Sequence, residues 1–354
     1  MKNMDYYIRS EQGVYQHIIS NRKVILKELL EMKHQDYRAV VIFATGSSSN
    51  AAFAAELYMS EKLQIPVYVE EPSVSANYML HLNKDTLYIA ISQGGHSYST
   101  IHLVEEIERS GGTVFTLTSD LESPIAKKAT NVISMGMDKE EMPYVTLGYS
   151  ATILVLNLLA LEMAQLQGKV QATDYETDLS EMQTIARELP QVIEKAASWV
   201  DAHTAELMEA KRIFFIGYGA AYGVAREGET KVTETIRITA FGKELEEYMH
   251  GPYIGLAPED YIIFIEPQGL LENRADKLKD FLAGHVEKVR TIYAGVGKKQ
   301  TSDLELNLQV NELLTPLFMT IPVHLLSFKI SQEKNVNLEI SAFPEFDEIT
   351  KSKI

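Results

Sequence analysis

Residues 40–63 read VVIFATGSSSNAAFAAELYMSEKL. Val40-Val41-Ile42-Phe43-Ala44 is a continuous apolar run, the pattern of a strand buried on both faces. It empties into Thr45-Gly46-Ser47-Ser48-Ser49-Asn50, and an Ala-rich helix is expected from Ala51 to Leu63. Strand, small-residue loop and helix together form the unit of an open parallel sheet. Working outward, a helix over residues 5 to 33 leads in. Further strands are expected at Pro66 to Glu70, Leu87 to Ile91, Thr113 to Leu117 and Asn131 to Met135. The second of these, Leu87 to Ile91, also runs into a small-residue loop, Ser92-Gln93-Gly94-Gly95-His96-Ser97. Helices follow at Tyr98 to Ser110, ended by Gly111-Gly112, and at Leu147 to Leu166.

The pattern then pauses and returns. Gln167 to Asp178 loses apolar periodicity, and a long amphipathic helix follows to about Met208. IFFIGYGAAYGVAREGETKVTE (213–234) repeats strand, Gly/Ala loop and helix, and YIIFIEPQG (261–269) echoes LYIAISQGG (87–95). Strands at Lys288 to Ala294 and Leu304 to Val310, and a helix at Thr315 to Ser331, complete a second copy of one α/β unit. The tail from Asn337 shows no strong periodicity. The expected organisation is a first domain over 1–167, a linker over 168–178 and a second domain over 179–354.

Composition narrows the function. The 354 residues carry a formal charge of −16, which argues against a nucleic-acid partner. The absence of cysteine removes disulfides, thiolate metal sites and a Cys nucleophile together. The N-terminal MKNMDYYIRSEQ has no apolar signal segment. The longest apolar run, Ala151 to Ala164, falls short of the roughly 18 residues that span a bilayer. A cytoplasmic protein without a membrane partner is expected.

Two loops and one segment carry candidate chemistry. Thr45-Gly46-Ser47-Ser48-Ser49 places hydroxyls and N–H groups where a strand meets a helix N-terminus, a ready anion site; an ordinary Ser-rich cap is the plainer reading. No Gly-Lys-[Ser/Thr] follows, so this is not a Walker loop. With Ser92 to Ser97 beside it, the pair suits a compact phosphomonoester. In the second half, Arg226 to Pro252 gathers Lys231, Glu234, Glu247 and His250. Lys231 and Glu234 are three apart on one helix face, as in many surface ion pairs. His250-Gly251-Pro252 fixes an imidazole at a rigid turn, suited to proton transfer near neutrality. No His-x-x-x-His or carboxylate pair at ligand spacing lies nearby, so no metal is expected. Lys351-Ser352-Lys353-Ile354 reads by itself as a frayed charged end.

These residues resemble the sugar isomerase (SIS) domain family, in particular the isomerase half of glucosamine-6-phosphate synthase, the amino-sugar phosphate deaminases and the fructosamine-6-phosphate deglycases. The resemblance covers about residues 20 to 354. It implies an α/β fold of two tandem SIS domains, each a parallel-sheet three-layer sandwich of flavodoxin-like type. The synthase's Cys-Gly-Thr-Ser loop corresponds to Thr45-Gly46-Ser47-Ser48, and its Ser-Gln-Ser-Gly-Glu-Thr loop to Ser92-Gln93-Gly94-Gly95-His96-Ser97. Gly46, Ser47, Ser48, Ser92, Gln93 and Ser97 thereby acquire the phosphate role.

The family's Glu-Gly-x-x-Lys-x-x-Glu helix corresponds to Glu227 through Glu234, and its His-Gly-Pro turn to His250-Gly251-Pro252. The sixteen-residue spacing from Glu234 to His250 is kept. By this resemblance Glu234 shuttles a proton between C1 and C2, His250 opens the sugar ring from a partner subunit, and Lys351 matches the Schiff-base lysine. Lys231 and Glu247 complete the pocket. A homo-oligomer, at least a dimer, and no cofactor are implied. Two departures favour a catabolic relative. A protein without a glutaminase domain ahead of the first SIS domain is expected, and the synthase's Ala-Ser-Thr-Lys corresponds to Val145-Thr146-Leu147-Gly148, without the lysine. The implied reaction is cleavage of a 6-phosphorylated sugar–amine conjugate by a deglycase. The alternatives are a glucosamine-6-phosphate deaminase/isomerase and a non-catalytic phosphosugar sensor.

Overall fold

The computed structural model describes residues 2–32, 35–297 and 300–354, and the expected end of the leading helix at residue 33 lies outside them. The chain forms two compact units: Gly13–Gln183 with Glu339–Ile354, and Met1–Gln12 with Thr184–Leu338. They are called the N-terminal and C-terminal units below.

In chain order the first elements are α1 (Met4–Ile25), α2 (Lys27–Leu30), β1 (Ala39–Phe43), α3 (Ser47–Leu63), β2 (Val67–Glu70), α4 (Pro72–Val74), β3 (Thr86–Ile91), α5 (Tyr98–Arg109), β4 (Phe115–Thr118), α6 (Pro124–Lys128), β5 (Asn131–Ser134) and α7 (Leu147–Leu166). The sheet of the N-terminal unit has the order β2-β1-β3-β4-β5, with every pair parallel. On one face Phe43, Tyr88 and Ala90 pack with Ile101, Val104 and Ile107 of α5 and Ile125 of α6. Val40, Ile42, Leu87 and Ile89 alternate with these and are equally buried, so helices cover both faces.

The remaining elements are α8 (Ala172–Glu209), β6 (Arg212–Gly217), α9 (Ala221–Lys231), β7 (Thr239–Glu244), α10 (Leu245–Met249), β8 (Tyr261–Glu266), α11 (Glu272–Leu282), β9 (Lys288–Tyr293), β10 (Leu304–Glu305), α12 (Pro316–Glu333) and α13 (Phe346–Thr350). The C-terminal unit's sheet, β10-β9-β8-β6-β7, is also parallel throughout. Read from its own first strand, this is the order of the first sheet, the 2-1-3-4-5 arrangement of flavodoxin-like folds. The chain therefore repeats one three-layer α/β unit twice.

Four details differ from the sequence reading. Helix α3 starts at Ser47, not Ala51, so the serines form its first turn. The expected linker is helical from Ala172, because Tyr175 donates to Glu162 (2.5 Å) and Asp178 accepts from Tyr58 (2.8 Å), fastening this turn to the N-terminal unit. Strand β10 ends at Glu305, where the left-handed Asn307 (φ 59°) breaks the extension expected to reach Val310. Two segments, Leu147–Leu166 and Glu312–Glu333, have the length and apolarity of a membrane span, where none was expected. They are core helices, with 100% and 83% of their apolar windows buried.

The seating of α9 on β6 depends on Gly228. A Cβ there would lie 2.6–2.8 Å from ring atoms of Phe215. Gly228→Ala is expected to destabilise the C-terminal unit by about 1–3 kcal/mol. Gly13→Ala, on α1 with nothing within 4 Å, is expected to stabilise by about 0.5–1 kcal/mol. Midpoints of denaturant unfolding measure both.

Candidate functional site

In the N-terminal unit β1 and β3 are neighbours, with Phe43 opposite Ala90. The loops after them therefore leave the sheet side by side, at the point where the strand order reverses. Gly46 takes φ 58° and ψ −138°, a conformation open essentially to glycine alone. That turn sets Ser47 and Ser48 into the first turn of the 17-residue α3, where N–H groups and the positive end of the helix dipole favour an anion. In the second loop the Ser97 N–H reaches the Ser92 hydroxyl (3.5 Å), and Ser97 Oγ accepts from Thr100 (3.0 Å). The structure thus brings Ser92 and Ser97 together. Gln93 turns its Nε2 to Thr152 Oγ1 of α7 (3.0 Å), while its carbonyl accepts from Ser119 Oγ (2.7 Å).

Sequence reasoning missed Glu140 in this unit. Its buried carboxylate accepts from the N–H of Thr146 (3.0 Å) and of Gly148 (3.0 Å) and from Thr146 Oγ1 (2.9 Å), capping α7. A Cβ at Gly148 would lie 3.4 Å from Gln93 Oε1 and 3.5 Å from Glu140 Oε2. A carboxylate therefore flanks the position where the synthase pattern has lysine.

The charged tail is not frayed. Residues 352–354 run antiparallel to residues 96–98. Tyr98 N–H donates to Ser352 O (3.1 Å), Ile354 N–H to His96 O (3.0 Å), and Lys353 bridges Ser97. Lys351, exposed and left-handed (φ 53°), ends α13 beside this pairing. Backbone pairing, invisible in side-chain character, brings the tail to the Ser92–Ser97 loop.

In the C-terminal unit α9 passes into a widened π turn, Val232–Ile236, ended by the left-handed Arg237. Such turns are frequent at functional sites. Thr235 Oγ1 anchors it, 2.7 Å from Lys231 O and 3.3 Å from Ser327 O of α12. Lys231 is 1% exposed, with Nζ 2.7 Å from Glu234 Oε2 and 3.6 Å from Glu227 Oε1. Glu227 is fully buried, whereas Glu234 keeps 37% of its side chain in solvent. This is no surface pair: the lysine is inside, and Glu234 is the member that reaches out.

Glu227 accepts from a second group that sequence reasoning missed. His324 of α12, fully buried, has Nε2 3.4 Å from Glu227 Oε1. Burial pushes its imidazole below the usual histidine range, against the hydrogen bond and charge of Glu227. Its only sequence signal is a histidine inside the apolar run Ile321 to Leu326.

His250 lies apart from this cluster. It is 75% exposed, with Nε2 3.9 Å from Glu246 Oε2, and no ion pair within 4.0 Å joins it to Glu234. Glu247 is also exposed; its N–H donates to Glu244, which caps α10. The switch point of this second sheet is closed to anions. Glu312 accepts from Leu270 N–H (3.1 Å), and a Cβ at Gly219 would lie 3.1 Å from its Oε1, so a carboxylate fills the gap between the loops after β6 and β8. Among the described residues no group of three or more His, Asp or Glu is placed to hold a metal.

A model of the SIS domain matches residues 35–162 and 206–319, and the chain belongs to that family. The isomerizing glutamine–fructose-6-phosphate aminotransferase of Clostridium tetani is 26% identical over 326 residues, 89% of this chain and 52% of that protein. The chain thus spans about half the length of this curated relative. Among solved structures, a candidate phosphosugar isomerase of Clostridium difficile 630 matches with a TM-score of 0.90 at 23% identity, covering 98% of this chain and 97% of that one. Glucosamine-6-phosphate deaminase of Thermotoga maritima matches with a TM-score of 0.73 at 15% identity, covering 96% and 97%. At these identities the structural matches speak for the fold.

Removing the buried ammonium would take a counter-charge from the buried Glu227 carboxylate. Lys231→Met is expected to destabilise the C-terminal unit by about 3–5 kcal/mol, and adding Glu227→Gln should recover part of that loss, because breaking a buried pair is worse than removing both charges. Denaturant unfolding of the single and double variants checks this.

Proposed function

We propose that the protein is a phosphosugar enzyme that cleaves a 6-phosphorylated sugar–amine conjugate to hexose 6-phosphate and free amine, with no cofactor. The observation that carries this reading is the half-exposed Glu234 carboxylate held 2.7 Å from a buried ammonium. A carboxylate so fixed suits repeated proton transfer, because it neither swings away nor loses its counter-charge between steps.

Gly46, Ser47, Ser48, Ser92, Gln93 and Ser97 would bind the phosphate, using a hydroxyl-bearing helix terminus whose counterpart in the C-terminal unit has no serines. His250 would protonate the ring oxygen and open the ring. Its exposure and its separation from Glu234 support delivery from a second copy, so the working form would be at least a dimer. For a 1-amino-1-deoxyketose 6-phosphate, Glu234 takes the proton from C1, giving an enolamine, and returns it to C2. The resulting C1 imine is hydrolysed by water to aldose 6-phosphate and amine. Lys351 would be the candidate Schiff-base lysine, and Glu247 a further pocket residue.

Gly148 in place of lysine, flanked by Glu140, supports an amine-bearing substrate over the synthase reaction. A local cation there would repel a substrate ammonium, whereas a carboxylate does not. The test is to incubate the protein with fructosamine 6-phosphates and with glucosamine 6-phosphate, and to assay amine, ammonia and hexose 6-phosphate. Amine release from the former is expected. Ammonia from the latter alone would move the reading to a deaminase, and binding without product would indicate a sensor.

Glu234→Gln is expected to lower kcat by at least about a hundredfold, within the range general acid–base groups supply. Ser48→Ala is expected to act mainly on KM, and steady-state kinetics separate the two effects.

A further inference from the structure

Glu227 lies between two donors. On one side is Lys231, and on the other is His324 from α12. Lys231 in turn lies between two carboxylates, 2.7 Å from Glu234 and 3.6 Å from Glu227. The ammonium is therefore shared, and the division depends on how well Glu227 is satisfied by other means. A buried carboxylate with too few donors draws the nearest cation towards itself. A donor from α12 removes that demand and leaves the short contact to Glu234. The charged groups that act on His324 include Glu227 and Lys231 from α9 and Glu234 from the π turn. The imidazole is neutral in this setting, since burial lowers its proton affinity, so it serves as an N–H donor without adding charge.

We infer that His324 is a positioning residue: by donating to Glu227 it keeps Lys231 on Glu234. The inference rests on the reading of Glu234 as the proton shuttle, but its mechanism can be tested without substrate. The hydrogen-bond contact of His324 in this cluster is to Glu227, so the Glu227→Gln background below separates the route through Glu227 and Lys231 from a direct effect of the imidazole on Glu234.

The experiment follows the Glu234 carboxyl by 13C NMR in glutamate-labelled full-length protein, assigned by its loss in Glu234→Gln. In His324→Leu, Lys231 should move towards Glu227, and the Glu234 titration should rise by about one pH unit, as expected when an adjacent cation withdraws. His324→Gln, whose amide can donate in the same direction, should titrate as the wild type. In a Glu227→Gln background, His324→Leu should produce no further shift, because the route it acts through has been neutralised. An unchanged or lowered titration in His324→Leu overturns the inference, and so does an equal shift in the Glu227→Gln background. Where substrate turnover is measurable, the acid limb of kcat/KM should move with the NMR titration. If the titrations behave as expected but no variant or wild type releases amine, the positioning role stands and the proposed reaction fails.

Discussion

A lysine ammonium withdrawn from water must be met by carboxylate, and Lys231 is met by two. Desolvating an ion costs several kcal/mol, so the buried Glu227 is required by the buried lysine and the lysine by Glu227. That mutual requirement fixes the lower end of α9. It also decides which carboxylate meets solvent: Glu227 is wholly inside, so the exposed edge of the cluster belongs to Glu234. The π turn that follows serves the same end. It moves Glu234 outward while Thr235 ties the turn to Lys231 and to α12.

The two units share a strand order but not an electrostatic role. In the N-terminal unit the switch point opens onto the first turn of α3, where serines and a helix dipole invite an anion. In the C-terminal unit the corresponding gap is filled by the Glu312 carboxylate, and its helix begins at Ala221 without hydroxyls. One copy carries hydroxyls at its switch point, and the other carries a buried ion-pair cluster on the helix after its first strand. A duplicated fold can divide labour in this way because loops change readily while the strands that carry them do not.

Some of the site was legible in the residues and some was not. The serine loops were visible because small polar residues follow directly on an apolar run, although each loop alone equally suits an ordinary helix cap. Lys231 and Glu234 were visible as a pair, yet their spacing equally suits a solvated helix face. Glu227 was present in the recognised helix without any sign that it is buried. His324 was hidden in an apolar helix, where periodicity marks the residue only as inward-facing. Glu140 lay in a polar loop, and its role arises from N–H groups of residues six and eight positions later.

The sequence by itself determined the repeated α/β unit, the parallel sheets and the position of both serine loops. These depend on patterns within one segment: an apolar run of strand length, a turn of small residues and a helical period. Only the tertiary structure decided that Lys231 is buried, that α12 supplies a histidine to Glu227, that the tail pairs with residues 96–98, and that Glu312 closes the second switch point. Each of these joins residues far apart in the chain. Burial and long-range hydrogen bonding are properties of what packs against a side chain, and no local pattern records them.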